Sequence, residues 1–154
     1  MKLELQKLNI DEGSGQSFAF EESSVGDLPG VTLLEPVRGQ FMISNLGAGY
    51  RLNGTFGTRV SQPCARCMEP VKENVEFEID EMYLPSGQEE SDQEDVFVLN
   101  SEVLDVTDVV RQNLLMEVKE FPLCTADCKG LCPVCGANLN TTACSHQHTV
   151  EENQ

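Results

Sequence analysis

The cysteines fall at Cys64-x2-Cys67, then Cys124-x3-Cys128-x3-Cys132-x2-Cys135, then Cys144, with His146 close behind. No other feature constrains the fold as much. Two cysteines spaced by two residues can turn both thiolates toward one tetrahedral ion at ~2.3 Å. A single such pair is weak, because it also serves redox chemistry. Two pairs, three further cysteines and a histidine together make a strong signal for zinc. Pro133 and Gly136 flank the second pair and suit a tight turn whose N–H groups point at the sulfurs. The 7 cysteines are odd in number, which argues against complete pairing into disulfides.

Seven cysteines plus His146 are eight soft donors, which makes two tetrahedral sets. Adjacency in sequence groups Cys64, Cys67, Cys124 and Cys128 into one set. It leaves Cys132, Cys135, Cys144 and His146 for a second, local one. A rival is one ribbon-type site from Cys64, Cys67, Cys132 and Cys135, with the others free. His148 is a spare candidate for His146. A closed four-donor set leaves no position for water, which disfavours catalytic zinc. Neither close pair sits between a strand and a helix start, where a helix dipole would activate a thiol.

The start, MKLELQKLNI, has no long apolar run after its basic residue, which argues against a signal peptide. No stretch approaches the ~20 apolar residues of a membrane span. The expectation is a cytoplasmic protein without a membrane role, a setting where cysteines serve metals or redox chemistry. A chain of 154 residues that is 40% hydrophobic fits one domain with a small appendage.

Residues 12–30 are rich in Gly, Ser and acids and read as irregular or partly extended, with Phe18 and Phe20 able to anchor them, and 1–30 is expected to be an irregular leader. The β-rich core should cover 31–122. Val37, Phe41 and Ile43 alternate with Arg38, Gln40 and Ser44. After a Gly-rich turn at 44–49, Leu52, Phe56 and Val60 alternate with Arg51, Asn53, Thr55 and Arg59. This is a hairpin with Arg38, Arg51 and Arg59 on its polar face. Gly39, Gly54 and Gly57 suggest bulges or close backbone approach. Val71, Val75, Phe77 and Ile79 mark a further strand with an acidic outer face. Residues 85–95 read as a mobile acidic loop, and 96–99 as a short strand. Val106, Val109, Val110, Leu114, Leu115 and Val118 recur at helical spacing. That helix should lie near 105–120, capped by Asp105 with Asp108 in support, and stop near Glu120 because of Pro122. The fold class is α+β: an antiparallel sheet covered by one main helix. A cysteine-rich metal-binding extension, 123–146, and a disordered tail, 147–154, complete the chain.

The net charge of −16 repels nucleic acid at long range. It is uneven. Residues 31–72 hold Arg38, Arg51, Arg59, Arg66 and Lys72 against Glu35 and Glu69, whereas 73–122 carries most of the acidic excess. The segment offers a local basic face, but ordinary solvated charges are the better explanation. Arg66 and Lys129 lie inside the cysteine motifs. They would offset the charge of a thiolate site or contact a phosphate, and the first role fits better.

The pattern Cys-Ala-Arg-Cys, an acidic strand, LDVTDVVRQNLLMEV and then CKGLCPVCGANLN resembles the YceD-like family. These are bacterial and plastid proteins described as large ribosomal RNA subunit accumulation proteins. The resemblance runs over about 31–146. It implies a role in synthesis, processing or stability of large-subunit (23S) ribosomal RNA, with no defined enzymatic step. Some relatives keep Cys-x-Arg-Cys with a pair after the helix but lack GLCPVCG. That favours the division by adjacency, with two zinc ions. Many relatives end in Cys-x-Cys where this chain has Cys144-Ser145-His146; imidazole is also a good zinc ligand.

Three classes of function follow. The first is a zinc-stabilised, non-catalytic ribosome-biogenesis factor. Its partner is large-subunit ribosomal RNA or its precursor, or a basic ribosomal protein, which the acidic segment would attract. Arg38, Arg51, Arg59, Arg66 and Lys129 are the residues available for RNA or partner contact. The second is a zinc- or redox-responsive adaptor or sensor that binds a protein partner. The third, an enzyme, is disfavoured, because no nucleophile–base constellation is visible.

Overall fold

The computed structural model describes residues 1–85, 87, 95–99 and 101–146. Most of the expected acidic loop at 85–95, His148 and the tail 147–154 lie outside the described residues. The elements run β1 (Lys2–Glu4), a 3-10 turn (Leu5–Leu8), β2 (Gly15–Glu22), β3 (Thr32–Leu33), β4 (Val37–Asn45), β5 (Tyr50–Pro63), β6 (Pro70–Leu84), β7 (Val96–Val98), β8 (Val103–Asp105) and α1 (Val106–Glu117). Among the described residues the main sheet has the order β2-β4-β5-β6-β7, with β3 also paired to β5. The class is the expected α+β, a sheet with one main helix.

The alternation read from β4, β5 and β6 sets the two faces. Val37, Phe41, Ile43, Leu52, Phe56, Val60, Val75, Phe77 and Ile79 are buried. The helix lays Val106, Val110 and Leu114 on the same core, one residue per turn of a 3.6-residue period. Phe41, Phe56 and Phe77 form a stacked row across the strands, with ring centroids 6.1 and 5.7 Å apart. Two glycines make room for it. A Cβ at Gly39 would lie 2.4 Å from Phe56 Cδ1, and one at Gly54 would lie 2.4 Å from Phe41 Cβ. Close approach, not a bulge, is what these positions require.

Four expectations need correction. Residues 1–30 are not an irregular leader. Gly15–Glu22 forms β2 and pairs with β4 over its whole length, and Lys2–Glu4 pairs with β8. The short alternation of Phe18 and Phe20 with Ser17 and Ala19 was diluted by weak strand formers, and pairing with β4 supplies the rest. Phe18 stacks on Phe41 at 5.3 Å, and Phe20 meets Phe56 edge-on. The sheet is also not wholly antiparallel, because β7 joins β6 in parallel. Asp105 occupies the N-cap position but makes no cap hydrogen bond. It faces Lys2 across the β1–β8 ladder at 3.6 Å, while Asp108 accepts from Arg111 and Gln112. The helix ends at Glu117, before Glu120, with Val118 extended. Past that end the backbone carbonyls bond to the sheet: Gln62 Nε2 donates to Lys119 O, and Ala65 N to Pro122 O.

Candidate metal centres

The hairpin β5–β6 is paired from Tyr50↔Tyr83 to Pro63↔Pro70. Residues 64–69, Cys-Ala-Arg-Cys-Met-Glu, are its tip. Cys64 N donates to Glu69 O and Met68 N to Cys64 O, and Met68 takes a positive φ of 66° to close the turn. This turn points Cys64 and Cys67 toward the segment that follows the helix. There Cys128 Sγ lies 3.8 Å from Cys64 Sγ, and Cys124 Sγ lies 3.5 Å from Cys67 Sγ. The four sulfurs all lie within 4.8 Å of one another. A tetrahedron with ~2.3 Å metal–sulfur bonds has edges of about 3.8 Å, so the donor set fits such an ion. Cys64, Cys67 and Cys128 are buried; Cys124 is exposed.

Cys132, Cys135, Cys144 and His146 form the second set, again with donor atoms within 4.8 Å. Cys132 Sγ and His146 Nδ1 are 3.8 Å apart. Pro133 and Gly136 make the turn: Val134 N and Cys135 N each donate to Cys132 Sγ at 3.4 Å, and Gly136 has φ 72°. The ribbon-type grouping of Cys64, Cys67, Cys132 and Cys135 is not what the fold assembles.

Thiols packed this tightly cannot all ionise without a cation. Burial opposes ionisation of Cys64, but N–H groups of Arg66, Cys124 and Cys67 outweigh it and bring the thiol down to about 6. The Glu69 N–H favours the Cys67 thiolate, yet burial and the neighbouring sulfurs push it up to about 12. The Asn140 amide is the main reason the Cys128 thiol is lowered. Burial likewise opposes ionisation of Cys132, but the Cys135 and Val134 N–H groups bring it to about 6. Cys144 is raised, against a lowering influence of the His146 backbone, by burial and by the Cys132 and Cys135 sulfurs. Each set thus pairs a readily ionised sulfur with one that resists. A divalent cation removes that conflict by letting every donor bind deprotonated. An ion held by all four donors of either set has no open position, which is the chemistry of a structural site.

Residues 52–154 match the family described as large ribosomal RNA subunit accumulation protein YceD. The chain belongs to the YceD family. The matched span begins inside β5 and contains the hairpin tip, the helix and both cysteine sets. An uncharacterized protein of Mycobacterium tuberculosis (strain ATCC 25618 / H37Rv) is 30% identical over 109 residues, which is 69% of this chain and 52% of that protein. A Mycobacterium bovis protein aligns equally well. The chloroplastic large ribosomal RNA subunit accumulation protein YCED homolog 1 of Zea mays is 42% identical over 40 residues, 26% of this chain and 14% of that protein. This chain spans about half the length of the mycobacterial relatives it matches. No solved structure matches it.

The basic residues singled out in this YceD-family chain have separate settings. Arg38 pairs with Glu21 at 3.0 Å. Arg51 Nε donates to Asp80 Oδ1 at 2.6 Å, which holds the Asp80 carboxyl below the usual carboxylate range. Arg59 is exposed on the same face and makes no ion pair among the described residues. Arg66 braces the metal end: its guanidinium donates to Cys128 O at 3.0 Å, and its carbonyl accepts from Leu131 N at 3.1 Å. Lys129 is exposed, and its backbone N–H donates to Asn140 Oδ1. Sequence reasoning gave no role to Asn138 and Asn140, although both stand in the stretch that carries the family resemblance. Asn140 Nδ2 donates to Cys128 Sγ at 3.3 Å, and Asn138 Nδ2 reaches Glu69 Oε1 at 3.4 Å. Asparagines two and four residues after the Cys-x-x-Cys-Gly turn were the signal available.

Proposed function

We propose that this protein is a non-catalytic, cytoplasmic ribosome-biogenesis factor that supports synthesis, processing or stability of large-subunit (23S) ribosomal RNA. Two structural zinc ions hold its functional end: one on Cys64, Cys67, Cys124 and Cys128, the other on Cys132, Cys135, Cys144 and His146. The observation that carries the reading is the family match over the segment that builds both donor sets. The ions contribute cross-linking, not bond-making. No helix among the described residues is long and apolar enough to cross a membrane.

The charge map favours a basic ribosomal protein as the direct contact, with ribosomal RNA or its precursor in the same assembly. Glu76, Glu78 and Asp80 line the exposed face of β6, whereas Arg38 and Arg51 on that face are already paired with carboxylates. Complementary charge would steer a cationic partner and repel stray RNA. Crosslinking in cells, followed by identification of bound RNA and protein, tests this. Recovery of large-subunit components is expected; recovery of unrelated partners alone sinks the assembly role. Elemental mass spectrometry should find close to two zinc per chain, and a value near zero removes the structural-zinc reading. The exposure of Cys135 and His146 favours a second reading, a redox-responsive adaptor. On that reading, dilute peroxide would release one zinc and abolish partner capture together.

A further inference from the structure

The loop between Cys135 and Cys144 does more than connect two donors. Two of its side chains, Asn138 and Asn140, reach the first site and the hairpin tip that carries it. Asn140 Nδ2 lies 3.3 Å from Cys128 Sγ, and Cys128 is only 3% exposed, so water cannot readily supply this donor. The same side chain accepts the Lys129 N–H at 2.8 Å through Oδ1. Asn138 holds it in place: its Oδ1 accepts from Asn140 N at 3.0 Å and from Asn140 Nδ2 at 2.9 Å. Asn138 also reaches Glu69 on the hairpin tip. Thr142 N donates to Asn138 O, and Leu139 N to Gly130 O. Asn140 therefore belongs by sequence to the loop that the second site closes, and by contact to a ligand of the first.

The geometry points to Asn140 as a positioning residue that couples the two metal sites. Closing Cys132, Cys135, Cys144 and His146 around an ion fixes the loop and so aims the Asn140 amide at the Cys128 sulfur. A zinc ion on four thiolates carries net negative charge, and an N–H donor to one sulfur disperses it. Such outer partners are worth roughly 10–100-fold in metal affinity. Coupling of this kind is reciprocal, so a filled first site also favours the second. The inference rests on the reading that both sets hold zinc.

The test follows zinc loss from the full-length, zinc-loaded protein to a chromophoric chelator. A Cys132→Ser/Cys144→Ser variant lacks the second site and identifies the first-site phase. Asn140→Asp keeps the oxygen that accepts the Lys129 N–H but has no donor for sulfur. Asn140→Ala lacks both. Asn140→Asp is expected to speed first-site zinc loss by about 10–100-fold, at least as much as Asn140→Ala does. The second-site variant should show a similar increase, and adding Asn140→Asp to it should change little further, because both act through one contact. A first-site rate within about twofold of the original in Asn140→Asp, with Asn140→Ala alone affected, would make Asn140 a mere brace for the Lys129 turn and overturn the coupling. Independent, multiplying effects would overturn it as well. Two zinc per chain with an unchanged first-site rate rejects only the coupling; no zinc in the parent protein rejects the underlying reading too.

Discussion

The two donor sets use nearly the same chemistry but draw it from different distances. The first joins the tip of the β5–β6 hairpin to the segment after α1, and three of its four donors are buried. The second takes every donor from residues 132–146, and only Cys132 is buried. Loop length does not explain the contrast. Closure entropy grows logarithmically, so a loop about four times longer costs only about 1 kcal/mol more to close. The difference lies in what each closure holds. An ion on the first set would fasten a core-poor tail to the main sheet, together with the Ala65–Pro122 and Arg66–Leu131 hydrogen bonds. An ion on the second would shape one loop.

Cys64→Ser should break the comparison at its strong end. Bound zinc should fall from two to one, and the thermal midpoint of the zinc-loaded protein should drop by on the order of 10 °C. Hydrogen exchange at the Ala65 and Leu131 amides should accelerate as the tail undocks. An unchanged midpoint with both amides still protected would mean that the tail docks without the first site. Cys144→Ser should also remove one zinc, but lower the midpoint by only roughly 3 °C. A loss as large as that of Cys64→Ser would show that the two sets are one cooperative unit.

Gly130→Ala probes the clasp between the sets. Gly130 has φ 74°, and a Cβ there would sit 3.1 Å from Arg66 O, so the variant should lose about 1–2 kcal/mol. Chemical denaturation of the zinc-loaded protein measures this, and parent-like stability would show that the tail shifts freely at this point. Arg51→Ala should be the mildest, leaving zinc content and midpoint unchanged. Its effect is local. Arg51 depresses the Asp80 carboxyl, so the pair's contribution is complete above the ordinary carboxylate range. That contribution is lost as pH falls through the depressed value. Without Arg51 the Asp80 titration, followed by carboxyl NMR, should move up; no movement would show that the pair does not persist in solution.

Much of this was legible in the chain. Alternation at Val37, Phe41 and Ile43, and again at Val75, Phe77 and Ile79, reports burial directly, because a strand has a period of two. Val106, Val110 and Leu114 report the helix for the matching reason. β2 was harder to see. Its pattern spans few residues, and its place as a strand depends on an eight-residue register with β4. The Arg51–Asp80 pair was hidden because its members meet only across the β5–β6 ladder. Asn140 was hidden because a hydrogen bond to a sulfur leaves no periodic trace.

Residue order by itself determined the fold class, the two cysteine motifs and the number of soft donors, since period, spacing and ligand type are local properties. Which donors meet was decided by the tertiary structure. The hairpin register, running to Pro63↔Pro70, sets where Cys64 and Cys67 stand. The early end of α1 then lets Pro122 pair with Ala65 and brings Cys124 and Cys128 to them. Contacts across 57 and 64 positions form only when the backbone between them has a fixed path, and that path belongs to the packed sheet and helix together.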